Sequence, residues 1–244
     1  WQTPPTTLNN APPHPSTQRV LRLVANVDGE RISSVEPAIG YMHRGYEKLA
    51  EVRTYAQMTA LVNRIDWVSG FASEVPFIIG VEKLTGIEPT PRAQWIRLIL
   101  SELFRISSHI VFTSSYPLEL GGVTPLFHAL RERERVLELI EAMTGGRFHP
   151  NFNRVGGIKP AAGGGKTQKQ VSMDIPEGWL EDVKAAMQRV IKATEDSDTL
   201  VTGNELIKKR TVGVGCIPGD KAIEYGLSGP NLRASGVAYD LRTH

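Results

Sequence analysis

Apolar positions along this chain recur at two different periods. From Leu21 to Val27 they alternate with polar ones, and Asp28-Gly29 follows as a hairpin turn. Arg31 to Val35 then reads as the returning strand. Before it, residues 1–17 read as an extended, proline-punctuated arm. Beyond residue 40 the period lengthens to that of a helix. Glu47 to about Val62 is rich in helix formers. A second helix is expected from Asp66 to about Lys83, weakened or bent by Gly70 and Pro76. Thr90-Pro91 opens a third, whose stripe is Ile96, Ile99, Leu100, Leu103 and Ile110. Thr124-Pro125 opens a fourth over 125–144, with Thr124 as the capping oxygen and Pro125 already at a helical φ. Leu126, Leu130, Leu137 and Ile140 share one of its faces; Arg131 to Arg135 and Glu138 fall mostly on the other. Gly145-Gly146 closes it. A further helix starts near Pro176, with Trp179, Leu180, Val183, Met187 and Val190 on one side.

Several long helices at this spacing predict a bundle. The fold class expected is α+β: a small N-terminal antiparallel sheet followed by a long-helix bundle. The organisation expected is an arm and β-hairpin over 1–40 and a helical bundle over 41–210. A short β/turn segment over 211–244 would begin a C-terminal part that lies beyond this chain. Within the bundle, residues 160–173 read as a glycine-rich insertion. Its Gly165-Lys166-Thr167 invites a phosphate-loop reading, but Pro160 stands where that pattern needs glycine. A surface insertion is the better reading.

Composition adds exclusions. The chain has 244 residues, 41% apolar and 22% charged, an ordinary globular balance. A net charge of +2 with no dense basic run argues against nucleic acid as a partner. No apolar run approaches the roughly 20 residues that span a bilayer. The longest candidate, 95–112, is interrupted by Arg97, Glu102, Arg105 and His109. The single cysteine, Cys216, can form no internal disulfide and cannot hold a cluster or structural zinc by itself. Its small apolar neighbours predict a buried side chain.

The candidate chemistry sits in polar loops. Arg147, His149, Asn151, Asn153 and Arg154 follow directly on a helix end, where binding groups are commonly displayed. His14, His43, Asp66, Trp67, His109, Glu119 and His128 each have an ordinary structural reading, as solvated or packed groups. The residues alone describe a helical protein with polar loops.

Their order says more. HPST at 14–17, IGYMHRGYEKL at 39–49, NRIDW at 63–67, PRAQWIR at 91–97 and ELFRISSH at 102–109 come first. LGGVTPLFHALRERE at 120–134, GRFHPNFNRVGG at 146–157 and GLSGPNLRASGV at 226–237 follow. In this order they resemble the D-type (49-kilodalton-type) subunit of respiratory complex I, the NADH:quinone oxidoreductase, over roughly the first part of its sequence. That family is similar to the large subunit of nickel–iron hydrogenases. Holding nickel and iron takes paired thiolates, so the lone cysteine places the resemblance in the metal-free branch.

The resemblance implies a peripheral component of a membrane-associated complex, on the bacterial cytoplasmic face or the mitochondrial matrix face. It would pack against the B-type component, which carries the terminal 4Fe–4S cluster, and also meet the C-type component and the membrane arm. Quinone would be the substrate, taking electrons that originate on NADH or another donor. His14, Gln18, Trp67 and Glu119 would line the quinone pocket. Arg44 and His149 would lie near the partner's cluster. Three positions depart from the family pattern: Gln18 stands where a histidine is expected, Arg19 where a glycine is expected and Trp67 where a tyrosine is expected, while the acid, usually an aspartate, is kept as Glu119. These departures support an alternative, a catalytically silent paralogue that keeps the partner interface and has lost quinone chemistry.

Overall fold

The computed structural model describes residues 6–10, 22–159, 174–241 and 243. The insertion at 160–173 and most of the N-terminal arm therefore lie outside the described residues. The chain divides into two compact units, Trp1–Thr194 and Glu195–His244.

The first unit opens with an antiparallel sheet of order β1-β2-β3, formed by β1 (Thr6–Asn10), β2 (Arg22–Asp28) and β3 (Arg31–Ala38). The hairpin is the expected one: Gly29, at φ 60°, makes the turn, and Ala25 stands opposite both Leu8 and Val35. A bulge at Asn26/Val27 shifts the register. Leu8, Ile32 and Val35 are about half exposed or more.

The helix expected over 47–62 is two helices, α1 (Tyr46–Ala50) and α2 (Tyr55–Val62). Thr54 and Gln57 form a capping box that restarts the helix by satisfying two free N–H groups reciprocally. Helix α3 (Gly70–Thr85) begins later than Asp66, because the Asp66 carboxylate accepts from the N–H groups of Val68 and Ser69 and holds a turn there. Pro76 lies inside α3. Helix α4 (Pro91–Glu119) starts as expected, with the Thr90 hydroxyl accepting from Ala93 N–H at 3.3 Å. Helix α5 spans Thr124–Thr144. Thr124 is its first residue and not its cap; Val123 holds the cap position without a side-chain bond. Gly145, at φ 77°, ends the helix.

Helices α4 and α5 pack along their length around Phe71, Ile96, Leu100, Leu103, Phe104, Val136, Ile140 and Met143. The rings of Phe71 and Phe104 stack at 5.4 Å. The buried face of α5 differs from the expected one. Leu130 is 37% exposed, whereas Glu132 and Arg133 are buried. Glu132 is kept charged by Arg131 and Arg189, at 2.8 and 3.2 Å, and Arg133 donates to the Ser107 carbonyl. Residues at three- and four-residue spacing are turned inward whatever their polarity, and partners on neighbouring elements make that tolerable. Two short strands, β4 (Asn153–Arg154) and β5 (Gly157–Ile158), follow. Helix α6 (Trp179–Ser197) then anchors through Trp179, whose indole N–H donates to the Leu139 carbonyl at 2.9 Å.

In the second unit a π-helical turn (Asp198–Thr202) leads to α7 (Glu205–Thr211), α8 (Gly219–Glu224) and α9 (Gly229–Ala234). The strand expected after Thr211 does not form among the described residues. Gly213 and Gly215, at φ 77° and 67°, turn the backbone out of extended geometry. The same turns leave Cys216 exposed, against the expectation of burial.

Candidate functional site

The segment from Gly146 to Lys159 is the hub of the first unit's polar interior, because side chains from α2, α3, α4 and α5 converge on it. Its own sequence makes it a loop. Pro150 and Asn151, the latter at φ 44°, prevent a further helical turn, while Phe152 drops fully into the core.

From α5, the Arg133 guanidinium stands 4.8 Å from the centre of the Phe148 ring. Burial and the charge of Arg147 hold its pKa below the usual arginine value. From the end of α2, Asn63 bridges two groups. Its Oδ1 meets His149 Nδ1 at 2.9 Å, and its Nδ2 donates to Glu74 Oε2 at 2.6 Å. From α3, the other oxygen of Glu74 accepts from Asn153 N–H at 2.5 Å and from Asn153 Nδ2 at 3.0 Å. Glu74, Asn63 and Asn153 are all 0% exposed. Burial pushes the Glu74 carboxyl above its ordinary pKa, although the N–H groups from Asn153 and Asn63 all favour its charged form. The His149 ring is half-buried. Burial and the nearby charge of Arg64 lower its pKa, and hydrogen bonding with the Asn63 backbone opposes that shift.

A second clamp holds the far side of the loop. Arg97 of α4 and Glu82 of α3 form a two-bond ion pair at 2.7 and 3.0 Å. Arg97 Nη2 also donates to the carbonyls of Arg154 and Gly157, and Gly156 N–H donates to Glu82. Burial works against the Glu82 carboxylate, but the hydrogen bonds from Arg97 and Gly156 and the charge of Arg97 outweigh it and lower its pKa. A cavity of about 590 Å³ opens beside this pair, between α3 and the first turns of α4, lined by Val75, Ile79, Ile87 and Leu98 among others. None of the residues singled out in the sequence lines it.

Residues 119–244 match the family model described as "Respiratory-chain NADH dehydrogenase, 49 Kd subunit". The chain belongs to this family. It is 48% identical over 235 residues to the second D-type NADH-quinone oxidoreductase subunit of Salinispora tropica, covering 96% of this chain and 57% of that one. It is 46% identical to the D-type NADH-quinone oxidoreductase subunit of Clostridium beijerinckii, over 97% of this chain and 60% of the relative. The chain thus spans somewhat more than half the length of the curated relatives it matches. Among solved structures it is similar to a chain of the membrane-bound sulfane sulfur reductase, an archaeal respiratory membrane complex, with a TM-score of 0.85 and 30% identity. That likeness covers 98% of this chain and 60% of the other.

Within this 49 Kd-type chain, the described structure places four of the residues singled out in the sequence; His14 and Gln18 lie outside the described residues. His149 is joined through Asn63 to the block that carries Trp67. Trp67 is half-buried in the turn between α2 and α3. Arg44 is exposed just before α1, and Glu119 is exposed at the C-terminal end of α4. Sequence reasoning does not single out Glu74, Asn63, Glu82 or Arg97 as site residues. The available signal is an acid or a guanidinium set in an apolar stretch, FASEVPFIIG for Glu74 and QWIRLIL for Arg97. Among the described residues no cluster of His, Cys, Asp and Glu has metal-holding geometry, and no helix is long and apolar enough to cross a membrane.

Proposed function

We propose that this chain forms one wall of the acceptor pocket in an NADH:quinone oxidoreductase of the complex I type. It would sit at the membrane surface, on the bacterial cytoplasmic or mitochondrial matrix face, against B-type and C-type partners and the membrane arm. The observation that carries the reading is the clamped loop. A titratable ring, His149, is held half-exposed by a fully buried network, in a chain 48% identical to a D-type NADH-quinone oxidoreductase subunit of Salinispora tropica.

The division of labour follows from the residue types. A 4Fe–4S cluster is held by several cysteine thiolates, and in this reading the B-type partner supplies them. This chain supplies charge and hydrogen bonds instead. Arg44 adds positive charge near the cluster and raises its potential, and His149 couples that potential to pH. Quinone reduction places negative charge on two carbonyl oxygens, which demands donors and a source of protons. The Gln18 amide and the Trp67 indole N–H donate hydrogen bonds without titrating near neutral pH. His14 and Glu119 are the titratable groups of the pocket.

Redox titration of the partner's cluster in the intact membrane complex tests this. Arg44→Met should lower the potential, and His149→Ala should flatten its pH dependence; an unchanged potential and slope in both would remove these roles. Gln18 and Trp67 also support the silent-scaffold reading. Restoring Gln18→His and Trp67→Tyr separates the two: a working pocket changes its quinone turnover, and a scaffold is indifferent.

A further inference from the structure

We propose that the side-chain amide of Asn63 transmits the charge state of Glu74 to His149, so that Glu74 decides which ring nitrogen of His149 carries the proton. Hydrogen-bond polarity sets the direction of this chain of groups. An ionised carboxylate only accepts, and both oxygens of Glu74 are engaged: Oε1 by the two N–H groups of Asn153, Oε2 by Asn63. Asn63 must therefore turn its Nδ2 toward Glu74, which leaves its Oδ1 toward His149 Nδ1. An amide oxygen only accepts, so His149 Nδ1 must be the N–H of the pair. Nε2 is then the nitrogen that takes up a proton from outside.

When Glu74 gains a proton the chain reverses. Asn153 still donates to Oε1, so the new O–H sits on Oε2 and points at Asn63. The amide turns over to present its oxygen to Glu74 and its N–H to His149. His149 Nδ1 must now accept, which selects the opposite tautomer and opposes the imidazolium, whose two nitrogens both donate. Protons on Glu74 and on His149 thus disfavour one another. The connection is closed to bulk solvent, and the low local dielectric strengthens each of its bonds: Asn63, Glu74 and Asn153 are 0% exposed. Other charges face the ring from each element around it. Arg64, just after α2, disfavours the imidazolium in both states. Arg133 of α5 is committed to Phe148 and the Ser107 carbonyl, and Arg147 of the loop is paired with Glu134 and Glu141. Glu74 is the α3 group, and it acts through Asn63. Glu74 and Asn63 are positioning residues. Their consequence for the cluster rests on the pocket reading above, whereas the relay itself does not.

The test uses the intact membrane complex and reads the relay directly. Deuterium exchange at the C2–H of each histidine, followed by mass spectrometry across pH, gives the pKa of His149 without reference to turnover. Glu74→Gln keeps the shape, keeps an oxygen for Asn153 and puts an N–H toward Asn63, locking the reversed polarity. The pKa of His149 should fall by about one unit or more, a tenfold weakening of proton binding. His43, His109 and His128, all exposed, serve as controls and should not move. Glu74→Asp keeps the charge and should keep most of the pKa. With Asn63→Ala already present, Glu74→Gln should have little further effect. An unmoved His149 in Glu74→Gln, an equal fall in Glu74→Asp, or an undiminished fall in the Asn63→Ala background would each overturn the relay. If the relay holds and the cluster's potential ignores His149, the pocket reading fails and the relay stands.

Discussion

Arg97 and Glu82 face each other in the interior with 5% and 6% of their side chains exposed, joined by two hydrogen bonds at 2.7 and 3.0 Å. Fifteen residues separate them in sequence, on different helices, yet the pair does more than join α3 to α4. Arg97 also takes two carbonyls of the 146–159 loop, and Glu82 takes the Gly156 N–H. The loop that presents His149 is thus hung on an ion pair at one end and on Glu74 at the other.

Removing one partner leaves a buried charge without compensation. Arg97→Met should destabilise the first unit by roughly 3–5 kcal/mol. Arg97→Lys should recover only part of this, because an ammonium cannot reproduce the forked geometry. Denaturant midpoints measure both. A loss under about 1 kcal/mol for Arg97→Met would mean that Glu82 finds water or protonates cheaply.

The two buried acids should respond to pH in opposite senses. The Glu82 pKa is depressed in the folded state, so its contribution is present above the ordinary carboxylate value and is lost as pH falls through the folded value. The Glu74 pKa is raised, so its contribution is complete below the ordinary value of 4.5 and is lost as pH rises through the folded one. Stability measured against pH should therefore lose part of its acid-side slope in Glu82→Gln. In Glu74→Gln, stability should fall less as pH rises than it does in the parent protein. Matching slopes in the two variants would contradict this assignment.

Gly70 leaves room for the residue that holds His149. A Cβ there would come 2.8 Å from the Asn63 carbonyl oxygen and 3.0 Å from Asn63 Oδ1. Gly70→Ala should cost roughly 1–3 kcal/mol through displacement of Asn63. It should also move the His149 pKa, which distinguishes it from a simple helix substitution. Thermal unfolding together with histidine exchange reads both effects.

Phe152 is 0% exposed and belongs with Phe71, Phe104 and Met143 to the cluster that backs the loop. Phe152→Ala should cost roughly 3–5 kcal/mol. Asn153, next in the chain, would lose its fixed seat against Glu74, so His149 should gain exposure. A rise in C2–H exchange at His149 in the folded variant checks that link.

Cys216, the α5 face and the 146–159 loop mark how far the chain is legible from its residues. The hairpin, the longer helices and most stops are legible, because alternation, Asp28-Gly29, Thr90-Pro91 and Gly145 act within a few residues of themselves; the division of 47–62 into two helices by the Thr54–Gln57 capping box is not. Thr124 and the start of α3 depart from expectation where two local bonding patterns compete over a few positions. The block order that resembles the complex I family is legible too, and the family match agrees with it. The position of Cys216 is not, since the φ of Gly213 and Gly215 decides it.

Local chemistry, then, determined which segments are strands and which are helices, and the order of motifs determined the family. Only the tertiary structure decided which charged residues are inside. Glu82 and Glu132 look in sequence like solvated groups on helix surfaces, and the apolar stretches around Glu74 and Arg97 name no partner for their charges. Each is buried because partners from other elements reach it: Asn153 is 79 residues from Glu74, and Arg189 is 57 from Glu132. Burying a charge costs several kcal/mol unless such partners arrive together, and no pattern of neighbouring residues records whether they do.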